Sequence, residues 1–255
     1  MTRVISIANN KGGVGKTTSV QNLGAGLNKL GYSVLLIDLD PQANLTESFG
    51  HNRVGESIYD VLKGTEKLPA VKIGDEFFLI PSNLDLSVAE IEFSTRTARE
   101  SILQRNLIDK VKGDFDYILI DCPPSLGLLT LNALVASDEI LIPIDAGFFS
   151  MKGIDKFLYI VEDIKKNKLN PALKVSGVFV TMYENVILKK DIISTIEENF
   201  NQKVFSTKIR KNIALSEAQS TGQDIFSYSP NSNGAKDYIA LVKEIFNLEN
   251  QKAVA

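Results

Sequence analysis

Residues 9–18 read NNKGGVGKTT. They close on Gly-Lys-Thr, as does the phosphate-binding loop G-x-x-x-x-G-K-[ST]. Counting back from Gly15 puts the first glycine of that form at position 10, where Asn10 stands. Lys11 is a second lysine inside the loop, where the pattern needs none. The context is right: VISIA before it reads as a buried strand, and TTSVQNLGAGLNKL after it as a helix. Glycines at 12, 13 and 15 let the chain turn tightly, so that N–H groups from Gly12 through Val14 and Gly15 face phosphate oxygens. The positive end of the following helix adds to that field. Lys16 supplies a point charge for the β- and γ-phosphates, the Thr17 hydroxyl is placed to ligate Mg²⁺, and Thr18 completes the loop.

Outward from the loop, short apolar runs alternate with amphipathic helical stretches, the pattern of a parallel sheet covered on both faces. Strands are predicted at 3–8, 33–38, 77–81, 117–121, 139–144 and 175–181, with a short one at 204–205. Helices are predicted at 16–30, 58–63, 84–92, 99–111, 126–136, 152–168, 190–200 and about 232–248. The fold class is α/β: one doubly wound, mostly parallel domain over residues 1–250, with 251–255 as a disordered tail.

Two of the predicted strands end in acid. LLIDLDPQ puts Asp38 and Asp40 after the second, and ILIDCPPS puts Asp121 at the end of the fourth. In a parallel sheet the strand C-termini gather at one edge, where ligands bind. Three carboxylates beside a polyphosphate repel it unless a metal or a proton-transfer task accounts for them. Asp121 is the natural anchor for Mg²⁺. The plain alternative for each aspartate is a helix cap or a turn, and Asp38 suits that structural role best.

KGGVGKTT, LLIDLDPQ and LIDCPPSLG in this order resemble the deviant Walker A ATPases, the ParA/MinD superfamily, and most of all its ParA/Soj branch. TMYENV and NIALSEAQSTG resemble the same branch, so the likeness runs from residue 3 to about 246. The resemblance implies that Lys11 reaches across a two-fold interface to the phosphates of the ATP held by the other subunit. Two nucleotides sandwiched between two protomers concentrate negative charge, so each site gains from a cation lent in trans. It further implies that Asp40 orients the attacking water, that Thr17 and Asp121 organise Mg²⁺, and that hydrolysis is slow. For adenine it points to Met182 in the loop after the sixth predicted strand and to Arg210 and Asn212. Of the branch's Pro-Arg-Asn motif, however, only Asn212 matches.

The resemblance also implies nonspecific DNA binding by the ATP-bound dimer, a ParB-type partner that stimulates hydrolysis, and a cytoplasmic, nucleoid-associated protein. Net charge is −3, but residues 151–255 carry 15 Lys+Arg against 12 Asp+Glu, a balance of +3. Arginines usual in the branch are missing, with Val186, Ile187 and Ala214 in those regions. The candidate DNA contacts are therefore Lys189, Lys190, Lys208, Arg210, Lys211, Lys236 and Lys243, acting as point charges. The competing reading is a ParA-like ATPase that positions a protein cargo. A MinD-like membrane regulator fits poorly, since LVKEIFNLENQKAVA ends acidic and polar, and no apolar run approaches ~20 residues. MTRVISIANN does not read as a signal peptide, so a soluble protein with no stable membrane association is expected. An iron–sulfur scaffold needs bridging cysteines, and Cys122 is the single one.

Overall fold

The computed structural model describes residues 1–51, 55–145, 150–185, 194, 198 and 204–248. Its strands are β1 (Arg3–Ile7), β2 (Val34–Asp38), β3 (Val71–Gly74), β4 (Phe77–Ile80), β5 (Tyr117–Asp121), β6 (Glu139–Asp145), β7 (Lys174–Tyr183) and β8 (Val204–Arg210). They form one sheet in the order β3-β4-β2-β5-β1-β6-β7-β8. Every pairing is parallel except β3 with β4. The helices are α1 (Lys16–Lys29), α2 (Asn44–Glu47), α3 (Ile58–Lys63), α4 (Ala89–Glu92), α5 (Asp109–Val111), α6 (Leu128–Ala136), α7 (Ser150–Lys166), α8 (Ile213–Ser220), α9 (Ile225–Tyr228) and α10 (Asn233–Phe246).

β2 and β5 are buried along their whole length, because helices cover both faces. Alternate residues feed two cores. Val4, Leu35, Ile118 and Ile120 face the side of α3, α6 and α7, while Ile5, Ile7, Leu36 and Leu119 face α1 and α10. Tyr238, Leu241, Val242, Ile245 and Phe246 fix α10 to that second face, each fully buried large apolar side chain contributing about 2 kcal/mol. Among the described residues no helix is long and apolar enough to cross a membrane.

The sequence reading missed β3, so Asp121 ends the fifth strand in chain order and the TMY segment ends the seventh. VKIG is a half-exposed edge strand with two apolar residues, too short for its alternation to register. β8 runs to Arg210, well past 205. Its polar Ser206 and Thr207 look unlike a strand, but the Glu244 carboxylate of α10 accepts their N–H groups at 2.7 and 2.9 Å. The predicted helix 84–92 is a 3₁₀ turn (Leu84–Val88) running into α4, and 99–111 breaks into 3₁₀, π and α turns. α2, α8 and α9 were not predicted. The predicted helix 190–200 and tail 251–255, with Val186, Ile187, Lys189 and Lys190, lie outside the described residues.

Register does the positioning. Asp121 of β5 sits level with Ile7 of β1 and with Asp38 of β2. The loop leaving β1 and the carboxylates leaving β2 and β5 therefore meet at one edge of the sheet.

Candidate active site

The loop between β1 and α1 is held from below by Asn9. Its Nδ2 donates to the Pro143 carbonyl at 2.7 Å, and its Oδ1 accepts the Lys11 N–H at 3.0 Å. Gly13 and Gly15 adopt φ of +73° and +81°, where a side chain is strained. A Cβ on Gly12 or Gly13 would meet no atom within 4 Å, so these positions front open space. Val14 is instead buried, and its carbonyl accepts the Thr181 hydroxyl of β7 at 2.8 Å. Gly15 caps α1 without a side chain, leaving the first helical N–H groups for a ligand.

A cleft of about 830 Å³ opens over this loop. Gly12, Gly13, Gly15, Lys16, Thr17 and Thr18 line it on the loop side, with Asp40, Gln42, Glu47, Met182 and residues 219–222 among the other lining residues. Lys16 is 7% exposed, and its Nζ donates to the Lys11 carbonyl at 3.1 Å. Burial lowers the Lys16 pKa, with Asp121, Cys122 and Asp40 opposing that fall. Asp40 is 8% exposed, and its Oδ1 accepts the Gln42 N–H at 2.9 Å.

Asp121 is fully buried, and apart from the nearby Thr17 hydroxyl neither carboxylate oxygen meets a hydrogen-bond donor. Burial, then the charge of Asp38, pushes its pKa well above the usual carboxylate range, while the Thr17 hydroxyl and Lys16 pull the other way. A buried carboxylate with so few donors, facing the first residues of α1, is costly unless a cation arrives. Mg²⁺ fits: it takes hard oxygen donors and keeps several waters, so one carboxylate and one hydroxyl suffice. Accordingly, the described residues contain no cluster of three or more acidic, His or Cys ligands. Cys122 is buried, with its thiol pushed up to about 12 by burial, and is chemically quiet.

Asp38 is fully buried and points away from the cleft, into a hydrogen-bonded corner with Thr46 and the Asp40 N–H. Lys11 lies at the loop rim, where its Nζ pairs with Asp145 Oδ2 at 3.0 Å. Asp145 was missed by sequence reasoning, although EILIPID carries the same apolar-run-then-acid signal as Asp38 and Asp121. Asn212 caps α8 through its side chain, accepting the Ala214 N–H at 3.0 Å, and does not line the cleft. Arg210 does not line it either. Its guanidinium is clasped by Asp237, with Nη2–Oδ1 at 2.6 Å and Nε–Oδ2 at 3.0 Å. Met182, at φ +50° and 40% exposed, does reach the cleft.

Of the basic candidates, Lys211 pairs with Glu184 at 3.5 Å and Lys208 lies over the Tyr183 ring at 5.3 Å. Lys236 and Lys243 are exposed on α10. The site can thus take a polyphosphate chelated to a divalent cation, with a buried carboxylate below it and a second carboxylate in the wall.

A family model described as an AAA domain matches residues 2–175. The chain is 41% identical over 251 residues to the sporulation initiation inhibitor protein Soj of Bacillus subtilis, covering 96% of this chain and 98% of that protein. It is 40% identical over 256 residues to the chromosome-partitioning ATPase Soj of Treponema pallidum, covering 99% and 100%. Among solved structures, a cobyrinic acid a,c-diamide synthase from Mycobacterium smegmatis with bound ATP analogue and magnesium superposes with a TM-score of 0.85 at 34% identity, over 97% of this chain and 96% of that one. Sequence, sheet and phosphate loop agree: the chain belongs to the ParA/Soj branch of the deviant Walker A P-loop ATPases.

Proposed function

We propose that this chain is a partition ATPase: a single P-loop domain over residues 1–250 that binds Mg-ATP, pairs with a second copy, and is released by slow hydrolysis. The observation that carries this reading is the fully buried, donor-poor carboxylate of Asp121 beneath a phosphate loop that contains a second lysine. Magnesium, when bound by Thr17 and Asp121, neutralises phosphate charge. The N–H groups of residues 12–15 and the start of α1 then hold phosphate oxygens, and Lys16 exchanges the Lys11 carbonyl for phosphate. Lys11 leaves Asp145 and serves the triphosphate of the partner copy. The pair it gives up is about one-third exposed on each side, so the exchange costs about 1 kcal/mol or less. Asp40, in the cleft wall, orients the attacking water; positioning and charge neutralisation carry the chemistry.

In this reading the ATP-bound dimer holds nonspecific duplex DNA at the nucleoid, because two modest basic surfaces add and counterions are released. A ParB-type centromere-binding partner stimulates hydrolysis and dissolves the dimer. One observation favours the protein-cargo alternative: Arg210 and Lys211, candidates for DNA, already pair with Asp237 and Glu184. A gel shift of the ATP-bound dimer at low salt separates the two. Retention that weakens as salt rises supports DNA, and no retention with the dimer confirmed supports cargo. For the ATPase itself, Lys16→Ala is expected to abolish nucleotide binding, and undiminished binding refutes the assignment.

A further inference from the structure

The main chain of Asp40 is tied at both ends by buried groups that lie outside the phosphate loop. Its N–H donates to Asp38 Oδ1 at 3.2 Å, and its carbonyl accepts the Ser82 hydroxyl at 2.8 Å. One hydroxyl joins the two ties. Thr46 Oγ1 donates to Asp38 Oδ2 at 2.6 Å and accepts the Ser82 N–H at 2.9 Å, while the Thr46 N–H also reaches Asp38 Oδ2, at 2.8 Å. A threonine hydroxyl has one proton to give and lone pairs to receive with, and Thr46 uses it both ways. Asp38, Thr46 and Ser82 are each 0% exposed. They come from three separate places: the end of β2, the helix α2, and the residue pair following β4.

We infer that Thr46 is a positioning residue for hydrolysis, holding Asp40 at its place in the cleft wall through Asp38 and Ser82. The inference rests on the reading of Asp40 as the residue that orients water. Local bonds hold the rest of this loop: the Leu39 N–H reaches the Asp121 carbonyl at 3.0 Å, and the Gln42 N–H reaches Asp40 Oδ1 at 2.9 Å. A turn closed by the Ala43 N–H on the Asp40 carbonyl at 2.9 Å leads to a four-residue helix. The Thr46 network is what ties the loop to β4. Hydrogen bonds to a buried carboxylate are among the stronger ones, and a buried partner left unpaired is costly. Without the Thr46 hydroxyl, Asp38 loses its shortest bond and the Ser82 N–H loses its acceptor, so both ties on Asp40 slacken together. A misplacement of about 1 Å at a reacting group can cost on the order of 10²-fold in rate.

The test compares Thr46→Val, which keeps shape and deletes the hydroxyl, with Thr46→Ser, Ser82→Ala and Asp40→Ala, all in the full chain with Mg-ATP. Single-turnover hydrolysis and nucleotide affinity are read separately, at a temperature where melting curves show each variant folded. Thr46→Val is expected to slow turnover about 10- to 100-fold, with KM for Mg-ATP within about threefold of the parent. Thr46→Ser is expected to restore most of the rate, and Ser82→Ala to lower it about 3- to 10-fold. Should Thr46→Val not fold, Ser82→Ala with unaltered KM carries the test. Parental turnover in Thr46→Val, or in Ser82→Ala where it stands alone, overturns the inference, as does a rate loss matched by lost affinity or one that serine fails to restore. If Asp40→Ala turns over normally, the reading of Asp40 falls and this inference with it. If Asp40→Ala is slow while Thr46→Val is not, the positioning role alone falls.

Discussion

The nucleotide-free protein is expected to carry a pH-dependent penalty at the end of β2, and Asp38→Asn measures it. Burial pushes the Asp38 carboxyl from an ordinary 3.8 up to about 6, against the hydrogen bonds from Thr46 and the Asp40 N–H. A carboxyl with a raised native pKa binds its proton more tightly when folded. Its contribution to stability is full below about pH 3.8 and is lost as pH rises through about 6. Two pKa units are worth about 3 kcal/mol. Glu139 and Glu244 run the opposite way: their pKa values fall on folding despite burial, through Arg3 and Ser176 for one and Thr207 and Ser206 for the other. They favour the fold above their ordinary range and lose that as pH falls. Subtracting the parent curve from that of Asp38→Asn cancels them and leaves Asp38 together with its neighbour Asp121, whose pKa it raises. Replacing carboxylate by amide adds an offset of about 1–2 kcal/mol that does not vary with pH. The assay is urea unfolding between pH 4 and 7.5, without nucleotide and with EDTA. The variant should gain on the parent by about 2 kcal/mol across that range, or about 4 °C in melting temperature at ~2.1 cal/mol/K per residue. Asp121, relieved of its neighbour's charge, moves in the same sense. A difference flat to within about 0.5 kcal/mol, or one that runs downward, refutes the argument.

Asp121→Asn is expected to remove the Mg²⁺ dependence of nucleotide affinity while leaving metal-free affinity within about threefold, read by calorimetry with and without EDTA; retained Mg²⁺ dependence counts against the metal assignment. Ala43 sits at φ 54°, a left-handed conformation costing about 1–2 kcal/mol for a residue with a Cβ, so Ala43→Gly should raise the melting temperature by about 1–2 °C after its own entropy cost. Gly15→Ala, at φ +81°, should lose about 1–2 kcal/mol and weaken nucleotide binding, as a thermal melt and a titration will read. If the dimer binds DNA through α10, Lys236→Glu with Lys243→Glu removes two phosphate contacts from each copy and should flatten the salt dependence of log affinity by about 4; an unchanged slope places the contact elsewhere.

The phosphate loop was legible because its chemistry is local: glycines, lysines and a hydroxyl within ten residues, between an apolar run and a helix. The edge aspartates were legible because an apolar run ending in acid marks a strand C-terminus, and parallel register then aligns Asp38 with Asp121. What the sequence hid is long-range. Nothing near Lys11 announces Asp145, which is 134 residues away and reached only when β6 pairs with β1. The Thr46–Ser82 bond likewise needs β4 beside β2. Arg210 reads as a free cation until α10 packs on β8 and presents Asp237. Asn212 carries the family motif yet spends its side chain capping α8, a helix whose start the sequence pattern did not disclose.

The central claim is that a lysine lent by each copy closes the other's triphosphate pocket, and sedimentation of Asp40→Ala with Mg-ATP, with and without Lys11→Ala, addresses it most directly. The account predicts a stable dimer for the single variant and a monomer that still binds Mg-ATP for the double one. A double variant that dimerises as tightly as the single one contradicts it.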